Sequence, residues 1–519
     1  DMDVVALVSG GKDSCMSMLK CQQYGHRIVA IANLMPADEK KDEVDSYMYQ
    51  TIGHNVVKAI AEAMEVPLVQ RKITGKPLTK SLEYRSAVSG ESTGSAHDEV
   101  EDMYLLLQDV KKKFPEVKAV CSGAILSNYQ RNRVEDVCSR MGLVSLSYLW
   151  QKDQKLLLKE MIESGIDAII VKTASMGLYP KRHLGKSLKE LYEYLTGDFA
   201  KMGCHPCGEG GEYETLTVDC PLFSKRIQIL ESEIVGDTLT SIDPVAVLRI
   251  SKIALTPKNT PKSEEIKKSE KKRQAGQTAP SQAEVKVKEE RKKQLVCQQD
   301  INTLVNHLKL KSIEIKKRVT VERRKDSIVF ATGSGSQGDL VVAVKHAMSE
   351  IKKSLDTAGM AFGDIFYVHM YLADLGGFKT ANGAYKTFFP GVNAPSRCCV
   401  ETLLPKGASV MISAMATIVD RKVLHIQSIS EWAPACIGPY SQATNMHGFL
   451  WNAGQIALDP PTLKMPESSN LTVEMVRCLN HCQSVLKVLN SGLEETLVCV
   501  VYWSRPCLPI GEEGVRQVF

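Results

Sequence analysis

Ser9-Gly10-Gly11-Lys12-Asp13-Ser14 brings two glycines, two hydroxyls, an ammonium and a carboxylate into six consecutive residues. The apolar run Val4-Val5-Ala6-Leu7-Val8 precedes them and a helical pattern follows, so the segment reads as a turn from a parallel strand into a helix N-terminus. Such a turn suits phosphate. Glycines let the backbone close around an anion, the helix start offers unpaired N–H groups, and Lys12, Ser9 and Ser14 add donors. The spacing is not that of the Walker A loop, nor of the dinucleotide Gly-x-Gly-x-x-Gly. Asp13 is the carboxylate placed to hold Mg²⁺ through oxygen or water, with capping of the following helix as its other role.

Three further segments carry chemistry-bearing residues. In Cys121-Ser122-Gly123-Ala124-Ile125-Leu126-Ser127-Asn128-Tyr129-Gln130-Arg131-Asn132-Arg133-Val134-Glu135, a Ser-Gly loop precedes a helix carrying Arg131, Arg133 and Glu135. Guanidinium groups on such a helix suit a phosphate or an acidic substrate group. A second segment, 146–151, contains Leu149-Trp150. The third is Cys207-Gly208-Glu209-Gly210-Gly211-Glu212-Tyr213-Glu214-Thr215, followed by Asp219-Cys220-Pro221-Leu222-Phe223. Glu209, Glu212 and Glu214 around a diglycine turn repel one another unless a cation sits among them. A solvated acidic loop and a cation site are both open on the residues alone. Cys204-His205-Pro206-Cys207 is half of a zinc site, and no second Cys/His pair completes it.

The elements that must position these groups follow from periodicity. From residue 4 to about 230, short β-branched runs at 28–33, 66–71, 117–123 and 168–172 alternate with amphipathic stretches. That is an α/β pattern with a mainly parallel, doubly wound sheet over residues 1–235. An open sheet binds its ligand at the carboxyl ends of its strands, where residues 9–14 and Asn33 fall. Residues 256–293 lose aromatics and gain Lys, Glu, Pro, Ser and Gln, which predicts a disordered basic linker acting as a solvated tether. Beyond it, a strand–helix–strand order at 326–335, 341–358 and 364–372 recurs at 448–455, 472–491 and 494–503. Two α+β modules follow, at 294–425 and 428–519. The first continues through a strand at 410–419; the second reaches residue 519 before any equivalent and reads as truncated.

The chain has 519 residues, a net charge of +5 and 15 cysteines. Its length implies about three or four structural units. The charge is too small to indicate nucleic-acid binding. No apolar run approaches the ~18 residues of a membrane span. Cysteines scattered without regular spacing fit reduced thiols and a cytoplasmic protein.

Ser9–Ser14 in its strand–turn–helix context resembles the PP-loop of the ATP pyrophosphatases, which split ATP into AMP and pyrophosphate. With the segments at 121–135, 146–151 and 207–223 it resembles the diphthine–ammonia ligase family over about the first 230 residues. Ile437-Gly438-Pro439-Tyr440-Ser441-Gln442-Ala443, Ala453-Gly454-Gln455-Ile456 and Pro395-Ser396-Arg397 with Leu404-Pro405-Lys406-Gly407 resemble motifs of the reactive-intermediate deaminase family. The first resemblance implies ATP and Mg²⁺ at Ser9, Gly10, Gly11, Lys12, Asp13, Ser14 and Asn33, with Lys12 and Asp13 catalytic and Asp13 on the metal. It implies amidation of diphthine on translation elongation factor 2 by ammonium, through an acyl-adenylate. Ser122, Gly123, Tyr129, Arg131, Arg133, Glu209, Gly210, Gly211, Glu212, Tyr213 and Glu214 would hold the substrate, the glutamates with Tyr213 receiving its trimethylammonium group. The alternatives are a tRNA-thiolating PP-loop enzyme and a scaffold of deaminase-like modules. In those modules Arg397 matches the family's carboxylate-binding Arg, whereas Met411 and Ser413 stand where active relatives carry acidic residues. The second resemblance thus implies self-association in place of deamination, and leaves a mixed site of Tyr440 with Arg397 as the other reading.

Overall fold

The computed structural model describes residues 1–36, 54–76, 78, 98–236, 245–258 and 328–502, except 337, 391–392, 447 and 467–469. The expected linker past residue 258 and the last residues of the second module lie outside the described residues. Contacts divide the chain into two units, Asp1–Thr278 with Ser428–Trp432, and Ala279–Gln427 with Ala433–Phe519.

In the first unit, β1 (Asp3–Leu7), β2 (Arg27–Met35), β3 (Leu68–Lys72), β4 (Ala119–Cys121) and β5 (Val144–Leu146) form a parallel sheet in the order β3-β2-β1-β4-β5. Successive residues of β1 serve opposite faces: Val4 and Ala6 join one core, Val5 the other. The first core takes in α1 (Lys12–Gln23), α2 (His54–Met64) and α5 (Gln154–Glu163); the second takes α3 (Glu99–Lys113) and α4 (Asn128–Met141). With helices on both faces, the sheet is doubly wound. The strand order reverses between β1 and β4, which opens a crevice at their carboxyl ends.

The parallel sheet stops at Leu146, short of the 230 expected from periodicity. β6 (Asp167–Thr173), β7 (Tyr213–Asp219), β8 (Lys225–Gly236) and β9 (Ala246–Pro257) build a separate antiparallel sheet in the order β7-β6-β9-β8. Between β6 and β7 lie α6 (Pro180–His183), α7 (Leu188–Thr196) and α8 (Asp198–Lys201). β9 carries the first unit past the expected boundary at 235 and two residues into the expected linker, because it pairs along the whole of β8. An antiparallel ribbon can leave one face in water, so the polar alternation of β8 hides its membership of the sheet.

In the second unit, β10 (Val329–Ser336), β11 (Ile365–Leu372), β12 (Ser396–Glu401) and β13 (Ala408–Ala416) form a mixed sheet in the order β10-β13-β11-β12. α9 (Leu340–Thr357) and α10 (Phe378–Lys386) cover it, with Val344, Met348, Ile351 and Tyr385 in the core. The second copy supplies β14 (Lys422–Leu424), β15 (Ala443–Met446), β16 (Phe449–Asn452) and α11 (Leu471–Val488). Its expected strand at 494–503 starts as a short 3-10 turn, and residues 496–502 form no strand. Its counterpart β11 is held by ladders to β12 and β13; no such partners flank 496–502 among the described residues. Among the described residues, no helix is long and apolar enough to cross a membrane.

Candidate functional site

Three loops meet at the crevice between β1 and β4. In the first, Gly10 has φ +98°, a conformation that favours glycine, and its carbonyl accepts from Thr217 N at 2.9 Å. Gly11 precedes α1 without a side-chain cap, Lys12 N donates to Thr215 Oγ1 at 3.1 Å, and Ser14 Oγ bonds Gly11 O at 2.9 Å. The second loop follows β4, and Ser17 Oγ bonds Ser122 O at 2.9 Å. A Cβ on Gly123 would lie 2.8 Å from the Asp13 carbonyl carbon and 2.9 Å from Ser14 N, so a glycine is required there for the two loops to touch. Ser127 then caps α4 through Gln130 N at 3.2 Å. The third loop carries Glu209, whose Oε2 accepts from Leu126 N at 3.0 Å.

Together they enclose a cavity of about 360 Å³. Ser9, Asp13 and Ser14 line it from the first loop, Ser122 and Gly123 from the second, and Ser127 and Gln130 from α4. Gly208, Glu209 and Gly211 face them from the third loop, and Asn33 lines the end of β2. Asn33 is also a clamp: its Nδ2 donates to Val8 O at 2.9 Å and its Oδ1 accepts from Gln70 Nε2 at 3.0 Å.

Charge at the cavity is unbalanced. Asp13 Oδ2 takes the Lys12 ammonium at 2.9 Å, but Asp13 Oδ1 is buried with no hydrogen-bond partner. Glu209 is pushed up to about 7 by burial and by the nearby Asp13 carboxylate, against the pull of Lys12. A partnerless acceptor beside a carboxylate that resists ionisation fits a divalent cation with oxygen ligands. Lys12 does not line the cavity. Its Nζ is buried, bonded to Cys207 O at 2.6 Å as well as Asp13, and 5.5 Å from the centre of the Tyr213 ring. Burial would lower the Lys12 pKa, but Asp13, with Cys207 and Glu209, together outweigh it and hold the value above the ordinary one. In this structure the Lys12 ammonium thus bonds Asp13 and the Cys207 carbonyl, while sequence reading has it reaching the ligand. Gly10 and Gly11 likewise shape the loop without lining the cavity.

The expected pocket of three glutamates is not formed. Glu212 is consumed by its own loop, accepting from His205 N and Gly210 N at 2.8 Å each. Glu214 points to Lys172 of β6 at 3.3 Å. Tyr213 is buried with its hydroxyl on Pro206 O at 2.5 Å, so it is no wall for a substrate cation, and Gly210 stays outside the cavity. Glu209 and Glu212 lie in the loop before β7, and alternation along the strand turns Glu214 to the face opposite Tyr213. Arg131 and Arg133 are also turned inward: Arg131 pairs with Glu135 at 2.7 Å, and Arg133 lies 3.2 Å over the Tyr129 ring. Neither they nor Tyr129 lines the cavity. No cluster of three or more His, Cys, Asp or Glu that could hold a metal ion occurs among the described residues.

Three family models match the chain. One described as Diphthamide synthase N-terminal domain matches residues 2–89 and 84–145, and one described as Diphthamide synthase C-terminal domain matches 153–246. The division falls between the parallel and antiparallel sheets. Endoribonuclease L-PSP matches 326–418. The diphthine–ammonia ligase of Schizosaccharomyces pombe is 36% identical over 508 residues, 96% of this chain and 80% of that protein. The chain belongs to the diphthine–ammonia ligase family. The Saccharomyces cerevisiae member is 31% identical over 97% of this chain and 75% of its own length. The human member is 51% identical over 50% of this chain and 94% of its own length, so family members differ in how much of this architecture they share.

The second unit of this ligase-family chain has its own buried charge. Arg397 of the first module lies 5.4 Å from the Tyr440 ring of the second and 4.8 Å from the Tyr385 ring. Its Nη2 donates to Asn382 Oδ1 at 2.7 Å, and its Nη1 has no partner. The mixed arrangement of Tyr440 with Arg397 thus forms within one chain. The lining residues that escaped sequence reading as ligand contacts include Ser127, Gln130, Gly208 and Ala124. Ser127 had a signal, since a Ser between an apolar loop and a polar helix start is an N-cap pattern.

Proposed function

We propose that this chain joins ammonia to the diphthine side chain of translation elongation factor 2, driven by cleavage of ATP to AMP and pyrophosphate. The observation that carries the reading is the juxtaposition of Asp13, its Oδ1 buried and unpaired, with Glu209 across a cavity floored by a phosphate-type loop. Asp13 and Glu209 would hold Mg²⁺, which supplies charge neutralisation for the phosphates. Ser9, Ser14 and the N-terminus of α1 cradle the departing pyrophosphate. Lys12 keeps Asp13 oriented and places a positive charge behind it. The diphthine carboxylate attacks the α-phosphorus, releasing pyrophosphate and leaving an acyl-adenylate. Ammonia then attacks the acyl carbon, AMP departs, and the nitrogen loses a proton to give the amide.

Within this reading Glu209 is the one glutamate of the trio left to meet a cationic group in the cavity. The thiolating alternative is weakened because burial pushes the Cys207 thiol up to about 12, and a protonated thiol is a poor nucleophile. The described cysteines are free, in keeping with a cytoplasmic site of action beside a translation factor. Self-association through the deaminase-like modules belongs to the same proposal. The deciding experiment incubates the full chain with ATP, ammonium and diphthine-bearing elongation factor 2, following AMP and the mass of the modified histidine. Formation of AMP with conversion to diphthamide is expected; ADP and orthophosphate would overturn the proposal.

A further inference from the structure

Ser428–Trp432 belongs to the first unit, although the residues on both sides of it belong to the second. Its backbone runs parallel to β5: Ile429 N donates to Ser145 O at 2.9 Å, and Ile429 O accepts from Ser147 N at 2.8 Å. β5 is the outermost strand of the parallel sheet, so these bonds cover an edge whose donors and acceptors would otherwise stand open. The Ile429 side chain packs on the main core.

Two side chains of the segment reach helices that wall the cavity. Ser428 N and Oγ both donate to Glu135 Oε1, at 2.8 and 2.6 Å, and Glu135 in turn holds Arg131 at 2.7 Å. Glu135 lies on α4, whose first turn supplies Ser127 and Gln130 to the cavity region. Glu431 sits between Lys152, at 2.7 Å, and Lys20, at 3.0 Å, and accepts from Tyr24 Oη at 2.7 Å. Lys20 and Lys152 also both contact Glu160, which closes a ring of alternating charge. Burial would raise the Glu431 pKa, but the two lysines hold it below the ordinary value, so it is ionised. Lys20 and Tyr24 lie at the far end of α1, the helix whose first turn presents Asp13 and Ser14 to the cavity.

We infer that Ser428–Trp432 is a positioning strand of the nucleotide cavity, with Ser428 setting α4 through Glu135 and Glu431 setting α1 through Lys20 and Tyr24. The inference rests on the reading of that cavity as the ATP site. Helices are stiff, so an anchor at one end fixes the direction of the N–H groups at the other. Loss of the anchor leaves Glu135 buried with fewer donors, which loosens α4 at its middle.

The test uses the full chain and measures ATP affinity in the presence of Mg²⁺, together with amide exchange along α4 and β5. Ser428→Ala combined with Glu431→Gln is expected to weaken ATP binding about fivefold, the scale of one lost hydrogen bond net of solvation, and to speed exchange in both elements. Ser187→Ala, which removes the cap of α7 away from the cavity, serves as the control for general destabilisation and should leave ATP affinity unchanged. If the double variant does not fold, Ser428→Ala alone decides the matter through the same readouts with a smaller shift. ATP affinity equal to that of the unaltered chain, or lowered no more than by Ser187→Ala, overturns the inference. An unaltered chain that binds ATP but makes no diphthamide overturns the ligase reading while the affinity comparison still decides the positioning role; one that binds no ATP overturns both.

Discussion

At the cavity of the first unit a carboxylate oxygen, Asp13 Oδ1, is buried without a partner, as is the Ser122 hydroxyl, whereas beside Tyr440 in the second unit a guanidinium donor, Arg397 Nη1, is, together with the Tyr385 hydroxyl. Around Asp13 stand a second carboxylate that resists ionisation and hydroxyls on a helix start. Around Arg397 stand aromatic rings and an amide, and among the described residues no carboxylate pairs with it. Burying an uncompensated charge or dipole is costly, so the two sites carry opposite electrostatic demands, the first for positive charge and the second for negative. The parallel sheet adds a geometric difference. Its strand reversal opens a crevice with a cavity of about 360 Å³, while the mixed sheet leaves Arg397 almost fully buried.

The sharpest way to break this contrast is Lys12→Ala. Removal of the ammonium behind Asp13 should slow AMP formation by a barrier of ~3 kcal/mol, as for loss of one preorganised charge. An unchanged rate in pre-steady-state assays would take Lys12 out of the mechanism.

Acid should separate the units next. His481 on α11 is 4% exposed, and burial lowers it to about 4 from an ordinary value of 6.5. Since the unfolded state takes up the proton first, the second unit keeps its stability above about 6.5 and loses it as pH falls toward 4. By pH 5 the loss should reach about 2 kcal/mol, measurable as faster amide exchange along α11. His481→Gln should flatten that dependence; an equally steep profile in the variant would assign the acid response to other groups.

Glu209→Gln sharpens the comparison from the other side. The folded-state value near 7 lies above the ordinary 4.5, so ionising Glu209 costs stability that begins above 4.5 and is complete above about 7. At pH 8 the variant should be more stable than the parent by about 1–2 kcal/mol, a figure reduced for partial exposure, and the gain should vanish toward pH 4.5. The same variant should lose Mg²⁺-dependent ATP affinity. Stabilisation without that loss would remove Glu209 from the cation site.

The smallest effect is expected at Arg397. Met411 and Ser413 cannot activate water as a carboxylate can, so the full chain should show no imine hydrolysis, and Arg397→Ala should leave AMP formation unchanged. Imine turnover that disappeared in Arg397→Ala would make the second unit a catalytic one.

Local pattern was enough to reveal the phosphate loop, because a buried strand, two glycines and a helix start are contiguous and their conformations follow from nearest neighbours. The doubly wound sheet and the first α+β module were legible for the same reason: periodicities of two and 3.6 residues report which face of an element is buried. Much of the rest depends on distance in space. Glu209, Glu212 and Glu214 are alike in the chain, and their fates diverge because one faces the cavity, one meets the N–H groups of its own loop and one meets Lys172 across a strand pair. Lys12 looks like a phosphate ligand until the carbonyl of Cys207, 195 residues away, claims its ammonium. Ser428–Trp432 has no motif at all. Its place beside β5 rests on backbone bonds to an edge strand and on Glu135, Lys20 and Lys152, partners that short-range pattern could not anticipate because only folding brings them within reach.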